Sequence, residues 1–157
     1  MDDEGRQLYL RALDQPQAQP LEGTRGATNP FFSPDGRWLG FWANGEMKKI
    51  STAGGPAIPL TKIAEPLGAS WGSNDVIVYG DSESNELWRV AASGGTPHRL
   101  TQLNRREGEV SHRLPHVLPG SNAVLFTIRQ LNTGSFTTSD IGPRAVRQPS
   151  AALFHHG

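Results

Sequence analysis

Asn29-Pro30-Phe31-Phe32-Ser33-Pro34-Asp35-Gly36-Arg37-Trp38-Leu39-Gly40-Phe41 reads as one short strand ending at Phe32, a tight turn at Ser33-Pro34-Asp35-Gly36, and a second strand in which Trp38 and Gly40 alternate with Leu39 and Phe41. Pro at the second turn position presets φ, and Gly at the fourth accepts the positive φ that closes such turns. The hairpin recurs. Phe32-Ser33-Pro34-Asp35-Gly36 is matched 39 residues on by Trp71-Gly72-Ser73-Asn74-Asp75. Val117-Leu118-Pro119-Gly120-Ser121 matches it again, after a spacing stretched to 46 by extra residues around 104–109. A β-rich run follows each turn, at 37–41, 76–79 and 123–128.

A second strand pair keeps the same clock. Glu86-Leu87-Trp88-Arg89-Val90-Ala91-Ala92-Ser93-Gly94-Gly95-Thr96-Pro97-His98-Arg99-Leu100-Thr101 repeats Glu46-Met47-Lys48-Lys49-Ile50-Ser51-Thr52-Ala53-Gly54-Gly55-Pro56-Ala57-Ile58-Pro59-Leu60-Thr61. Apolar residues coincide at 47/87, 50/90 and 60/100, Gly-Gly at 54–55/94–95, and Thr at 61/101. Gln7-Leu8-Tyr9-Leu10-Arg11-Ala12-Leu13 followed by Gln19-Pro20-Leu21 offers the two strands a third time, with Asp14-Gln15-Pro16-Gln17 in place of Gly-Gly. Two strand-turn-strand units every ~40 residues are the signature of a four-stranded propeller blade. The expected fold is all-β, built from blades of four antiparallel strands.

These residues carry a family resemblance. "FSPDGRWLGFW" followed by "ELWRVAASGGTPHRLT" resembles the TolB-like, WD40-like (PD40) β-propeller repeats. Within that group, "GASWGSNDVIVYG" and "SHRLPHVLPGSNAVLFT" are most similar to the propellers attached to bacterial serine/threonine kinases. The resemblance covers roughly residues 6–130. It implies a binding module whose blades surround a central channel, with a small-molecule or protein ligand there, and a parent propeller outside the cytoplasm.

A complete propeller of this kind has about six blades, and 157 residues supply half of them. With strands A to D counted outward from the axis, 7–22 supply C and D, 28–62 a full blade, 67–102 another, and 113–129 strands A and B. Residues 1–130 are thus expected to form a three-blade fragment, and 131–157 an irregular tail, disordered or non-native. The A–B half of one copy can pair with the C–D half of another. Two such contacts about a two-fold axis close a six-bladed homodimeric ring. That ring relieves the open strand edges which otherwise invite aggregation.

Composition sets the outer bounds. Lys+Arg and Asp+Glu are both 15, so no net field favours nucleic acid or an acidic membrane surface. No apolar run approaches the roughly 18 residues that span a bilayer, and Met1-Asp2-Asp3-Glu4 does not open a signal peptide. The absence of cysteine excludes disulfides and thiolate metal sites. Gly 18 and Pro 12 suit many turns, and no amphipathic helix stands out.

Four places invite a chemical reading. Gly68-Ala69-Ser70-Trp71-Gly72 matches the nucleophile elbow G-x-S-x-G, but a strand follows it where the elbow needs a helix. It superposes on Pro30-Phe31-Phe32-Ser33 and reads as an innermost strand. Asp81-Ser82-Glu83-Ser84-Asn85-Glu86 has some likeness to a calcium loop without its full set of ligands. Trp38, Trp42, Trp71 and Trp88 fall at repeat positions and read as inter-blade packing.

The fourth place is Ser111-His112-Arg113-Leu114-Pro115-His116. The repeat sets His112 where an inner strand enters the channel mouth and His116 deeper along it, level with Phe31 and Ser70. Histidine can ligate a divalent metal or act as a base near neutral pH. His112, Glu109 and Glu65 are the candidate ligands for zinc or calcium, and His112 and His116 the candidate catalytic groups. Glu107 and Glu109 lie in the inserted loop. Two readings follow: a binding or scaffold module, or a metal-dependent hydrolase of esters, lactones or phosphoesters. The bland reading is that His112 hydrogen-bonds a neighbouring blade's backbone and that the inserted loop is merely solvated. His98 belongs to an outer strand facing solvent.

Overall fold

In the computed structural model, residues 5–131 and 142–147 are described, and they form four antiparallel sheets. The first pairs β1 (Tyr9–Leu10) with β2 (Gln19–Pro20). The second runs in order through β3 (Thr28–Phe32), β4 (Trp38–Ala43), β5 (Glu46–Ser51) and β6 (Ile58–Lys62). The third does the same with β7 (Pro66–Trp71), β8 (Val76–Asp81), β9 (Leu87–Ala91) and β10 (His98–Arg99). The fourth joins β11 (Glu109–Val117), β12 (Ala123–Gln130) and β13 (Gly142–Arg147). A single 3-10 turn, Arg105–Glu107, takes up the inserted residues, and no α-helix occurs among the described residues.

The turns form for the reasons the sequence suggests. Gly36 N–H donates to the Ser33 carbonyl at 2.9 Å with Gly36 at φ +69°. Asp75 and Ser121 take the same position in the repeats, at φ +56° and +54°. Asp35 braces the first turn: its carboxylate accepts from the Ser33 hydroxyl (2.6 Å) and from Arg37 N–H (3.0 Å). Those two bonds, the hydroxyl first, hold its pKa below the ordinary carboxylate value. Asn44 and Gly45, both at positive φ, make the two-residue loop between β4 and β5. That geometry matches strand twist and selects Asn-Gly.

The innermost strands share a feature that motif reading does not reveal. Each is bulged at one repeat position, where Asn29, Gly68 and Leu114 stand at φ +51°, +95° and +51°. A bulge sharpens twist and re-aims the residues beyond it. Gly68 also admits a close approach, since a Cβ there would lie 2.9 Å from Leu114 Cα.

Packing between sheets builds the core. Leu21, Leu39, Phe41 and Ile50 fill the layer between the first and second sheets. Met47, Leu60 and Ile63 meet Trp71, Ile77 and Tyr79 between the second and third. Val78 and Leu87 meet Val117, Val124 and Phe126 between the third and fourth. Alternation along β8 sends Ile77 and Tyr79 to one layer and Val78 to the other, which is why that strand is apolar throughout. All four tryptophans pack in or against the middle layer, as their repeat positions imply. Trp42 Nε1 donates to the Ile63 carbonyl at 2.8 Å and Trp88 Nε1 to Ser84 Oγ at 2.9 Å.

Two expectations change. Strand β11 begins at Glu109, four residues before 113, so His112 lies within the ladder. Residues 142–147 are also a strand, paired with β12 from Ala123↔Arg147 to Ile128↔Gly142. The fourth sheet therefore holds an A–B–C set, where an A–B half and an irregular tail are expected from the sequence. Pro143 hides this strand from pattern reading, yet proline is tolerated on a sheet edge, where a missing N–H need not break the ladder. The rest of the expected tail lies outside the described residues.

Burial, and next the negative charge of Asp81, raises the Tyr79 hydroxyl from 10.0 to about 12. The folded protein holds that proton more tightly than the unfolded chain. The associated stability is present below pH 10 and is lost as pH climbs toward 12. Urea denaturation across that window should show the decline, and Tyr79→Phe should flatten it. A Cβ on Gly80 would meet Leu67 Cβ at 2.9 Å and the Leu67 carbonyl oxygen at 3.1 Å. Gly80→Ala should cost about 1–3 kcal/mol in the same assay, because backbone must move to admit it.

Candidate functional site

The structure brings two of the four predicted site residues together and sets the other two elsewhere. His112 and Glu109 meet in the third packing layer, with Nε2 3.1 Å from Oε2 and both side chains almost fully buried. Thr101, from the last turn of the third sheet, places Oγ1 2.8 Å from His112 Nδ1. Leu87 N–H donates to that Oγ1 at 3.0 Å. In a neutral ring whose proton sits on Nε2, facing the Glu109 carboxylate, Nδ1 accepts from the Thr101 hydroxyl. Asn104 N–H adds a 2.6 Å bond to the same carboxylate oxygen. His112 N–H donates to the Asn85 carbonyl at 2.8 Å, and its ring sits edge-on to Phe126 at 5.0 Å.

This order of hydroxyl, imidazole and carboxylate has the connectivity of a catalytic triad. Its setting does not suit catalysis, because the hydroxyl is engaged on both sides within packed sheets. His112 is expected at the channel mouth but lies between blades: it pairs with Ile128, on the face turned to the third sheet. Both ring nitrogens have partners, and these are side chains rather than a neighbouring blade's backbone. Glu65 is exposed and contributes its carbonyl to Ser82 N–H. Among the described residues no group of three or more His, Asp or Glu side chains gathers as a metal would require. Within one chain His112 and Glu109 are adjacent, and Glu65 does not join them.

The calcium-like loop uses its own acids. Asp81 Oδ2 accepts from Ser84 N–H (3.0 Å) and Ser84 Oγ (2.8 Å). Glu86, buried, takes Leu103 N–H at 3.0 Å and Arg99 at 3.4 Å. Thr101 is the partner that motif reading overlooks, although its recurrence as Thr61 is visible. Thr61 in turn hydrogen-bonds Tyr79 of the following sheet. A repeated threonine at the outer strands of the second and third sheets thus clasps the next blade.

His116 pairs with Leu125 on the opposite face of the fourth sheet and is exposed. It lines a cavity of about 530 Å³ at the inner strand ends, with Phe31, Ser70, Trp71, Val117 and Pro119. Ser70 Oγ accepts Val117 N–H at 3.0 Å, as an inner-strand residue and not as a nucleophile. The Trp71 indole nitrogen is buried and finds no hydrogen-bond partner among the described residues. The wall is aromatic and proline-rich, with few polar groups. It can hold an apolar or aromatic group, and it presents no nucleophile bonded to a base.

Solved structures share this arrangement. A candidate TolB of Agrobacterium tumefaciens superposes with a TM-score of 0.69 at 18% identity over 92% of this chain and 52% of its own. A chain of a nidogen–laminin complex superposes with a TM-score of 0.61 at 14% identity over 82% and 52%. The fold is a partial β-propeller. The chain spans about half the length of each of these structures. No protein-family model matches the sequence, and no curated protein matches it either. The propeller likeness read from the repeats thus holds at the level of fold.

A structural clasp and a groove residue respond differently to truncation. His112→Ala leaves the Glu109 carboxylate and the Thr101 hydroxyl in a buried layer without their partner. It should cost about 3 kcal/mol or more in urea unfolding. His116→Ala, at the exposed position, should stay within about 0.5 kcal/mol of the parent.

Proposed function

We propose that this propeller fragment is a binding and scaffold module that completes its ring by pairing with a second copy. The observation that carries the reading is the first sheet. It holds two short outer strands only, and it leaves Tyr9 63% and Leu13 96% exposed. Two-stranded sheets are marginal alone, and an open edge flanked by apolar side chains calls for a partner strand. Three blades from each copy make a six-bladed ring, a common propeller size. The contact is isologous and buries on the order of 2,000 Å². The closed ring sets the groove at Phe31, Trp71 and His116 around its axis, where it takes a small-molecule or protein ligand. No pair of groups in the described residues favours the hydrolase alternative.

Light scattering coupled to size exclusion at tens of micromolar protein tests the assembly. The reading expects a mass twice the 17.0 kDa of one chain. A well-folded species of single-chain mass throughout the concentration series would overturn it.

A further inference from the structure

The fourth sheet bears on how a ring could close. Strand β13 occupies the outer edge of β12, the edge to which a second copy's β1 would add. Its register is that of a true third strand: Ala123↔Arg147 stands where Trp38↔Ser51 and Val76↔Ala91 stand in the complete blades. Two strands therefore compete for one position. We propose that residues 142–147 are an internal placeholder, which satisfies the β12 edge in the single chain and is displaced by β1 of a second copy on dimerisation. The inference rests on the ring reading above.

Chemistry favours the incoming strand. Carrying the complete-blade pairs Gly40↔Lys49 and Phe41↔Lys48 through the repeat sets Leu10 opposite Leu125 and Tyr9 opposite Phe126. The placeholder offers Ala145 and Arg144 at those two positions. Leu-Tyr-Leu is a stronger strand former than Pro-Arg-Ala, because large and aromatic side chains fill a pleated, half-buried surface. Leu125 is 38% exposed and Tyr9 63%, so each edge carries apolar surface that the exchange would cover. Pro143 and Gly142 weaken the placeholder further. The exchange keeps the number of strands on β12 constant and replaces a poor third strand with a better one.

The chain has no cysteine, so engineered thiols report cleanly. In the full chain, Leu125→Cys with Ala145→Cys spans one β12–β13 pair and locks the placeholder when oxidised. Ala145→Pro with Val146→Pro instead weakens it by removing two strand N–H groups. Sedimentation equilibrium should show dimerisation at least tenfold weaker for the oxidised lock than for its reduced form. The proline variant should associate at least tenfold more tightly than the parent. Equal dimerisation of locked, reduced and proline forms would discard the placeholder and leave the ring. Failure of every form, the proline variant included, to dimerise would discard the ring as well.

Discussion

Each inner sheet of this protein has two apolar faces, and neither can be buried from within the sheet. A blade is stable because the next one covers it. The layers built on Phe41, on Ile77 and Tyr79, and on Val78 and Val124 are the result. Apolar burial contributes roughly 25 cal/mol per Å², and it outweighs what any single hydrogen bond across these layers can add. The stacking order follows the chain order, since short connections between successive sheets leave them as neighbours.

Hydrogen bonds then specify how the layers sit. Thr61 reaches Tyr79 across the middle layer, and Thr101 reaches His112 across the next. The second clasp is the more elaborate, because His112 brings a carboxylate with it. A buried histidine between a hydroxyl and a carboxylate has a fixed tautomer and a fixed ring plane. The same connectivity in an open cleft would be a catalytic device. Here the surrounding Phe126 and the strands on either side convert it into a register pin.

The inner strand ends show what a following blade does. Phe31 covers Gly40 and leans on Trp71, with ring centroids 6.3 Å apart. Ser70, one repeat later, bonds to Val117 N–H of the next sheet. His116, one repeat later again, is exposed, and no further sheet follows it among the described residues. One sequence position therefore has three fates, set by what stands beside it. The repeats alone make the three positions look equivalent.

The blades are legible in the residues alone: the turn residues, the Gly-Gly and Thr spacings, and the alternation along 37–41 and 76–79 are local properties, and local periodicity dictates strand and turn. The sequence also placed the tryptophans in the packing layers and denied Ser70 a helix. Which face His112 occupies depends on the folded sheet, because a strand start at Glu109 and a bulge at Leu114 set that face. Glu109 and Thr101 meet His112 from separate elements, and no spacing rule joins them. Strand β13 was likewise invisible, since Gly142-Pro143-Arg144-Ala145 has little strand preference of its own. Its pairing comes from the open edge of β12, a constraint that exists only once the sheet has formed.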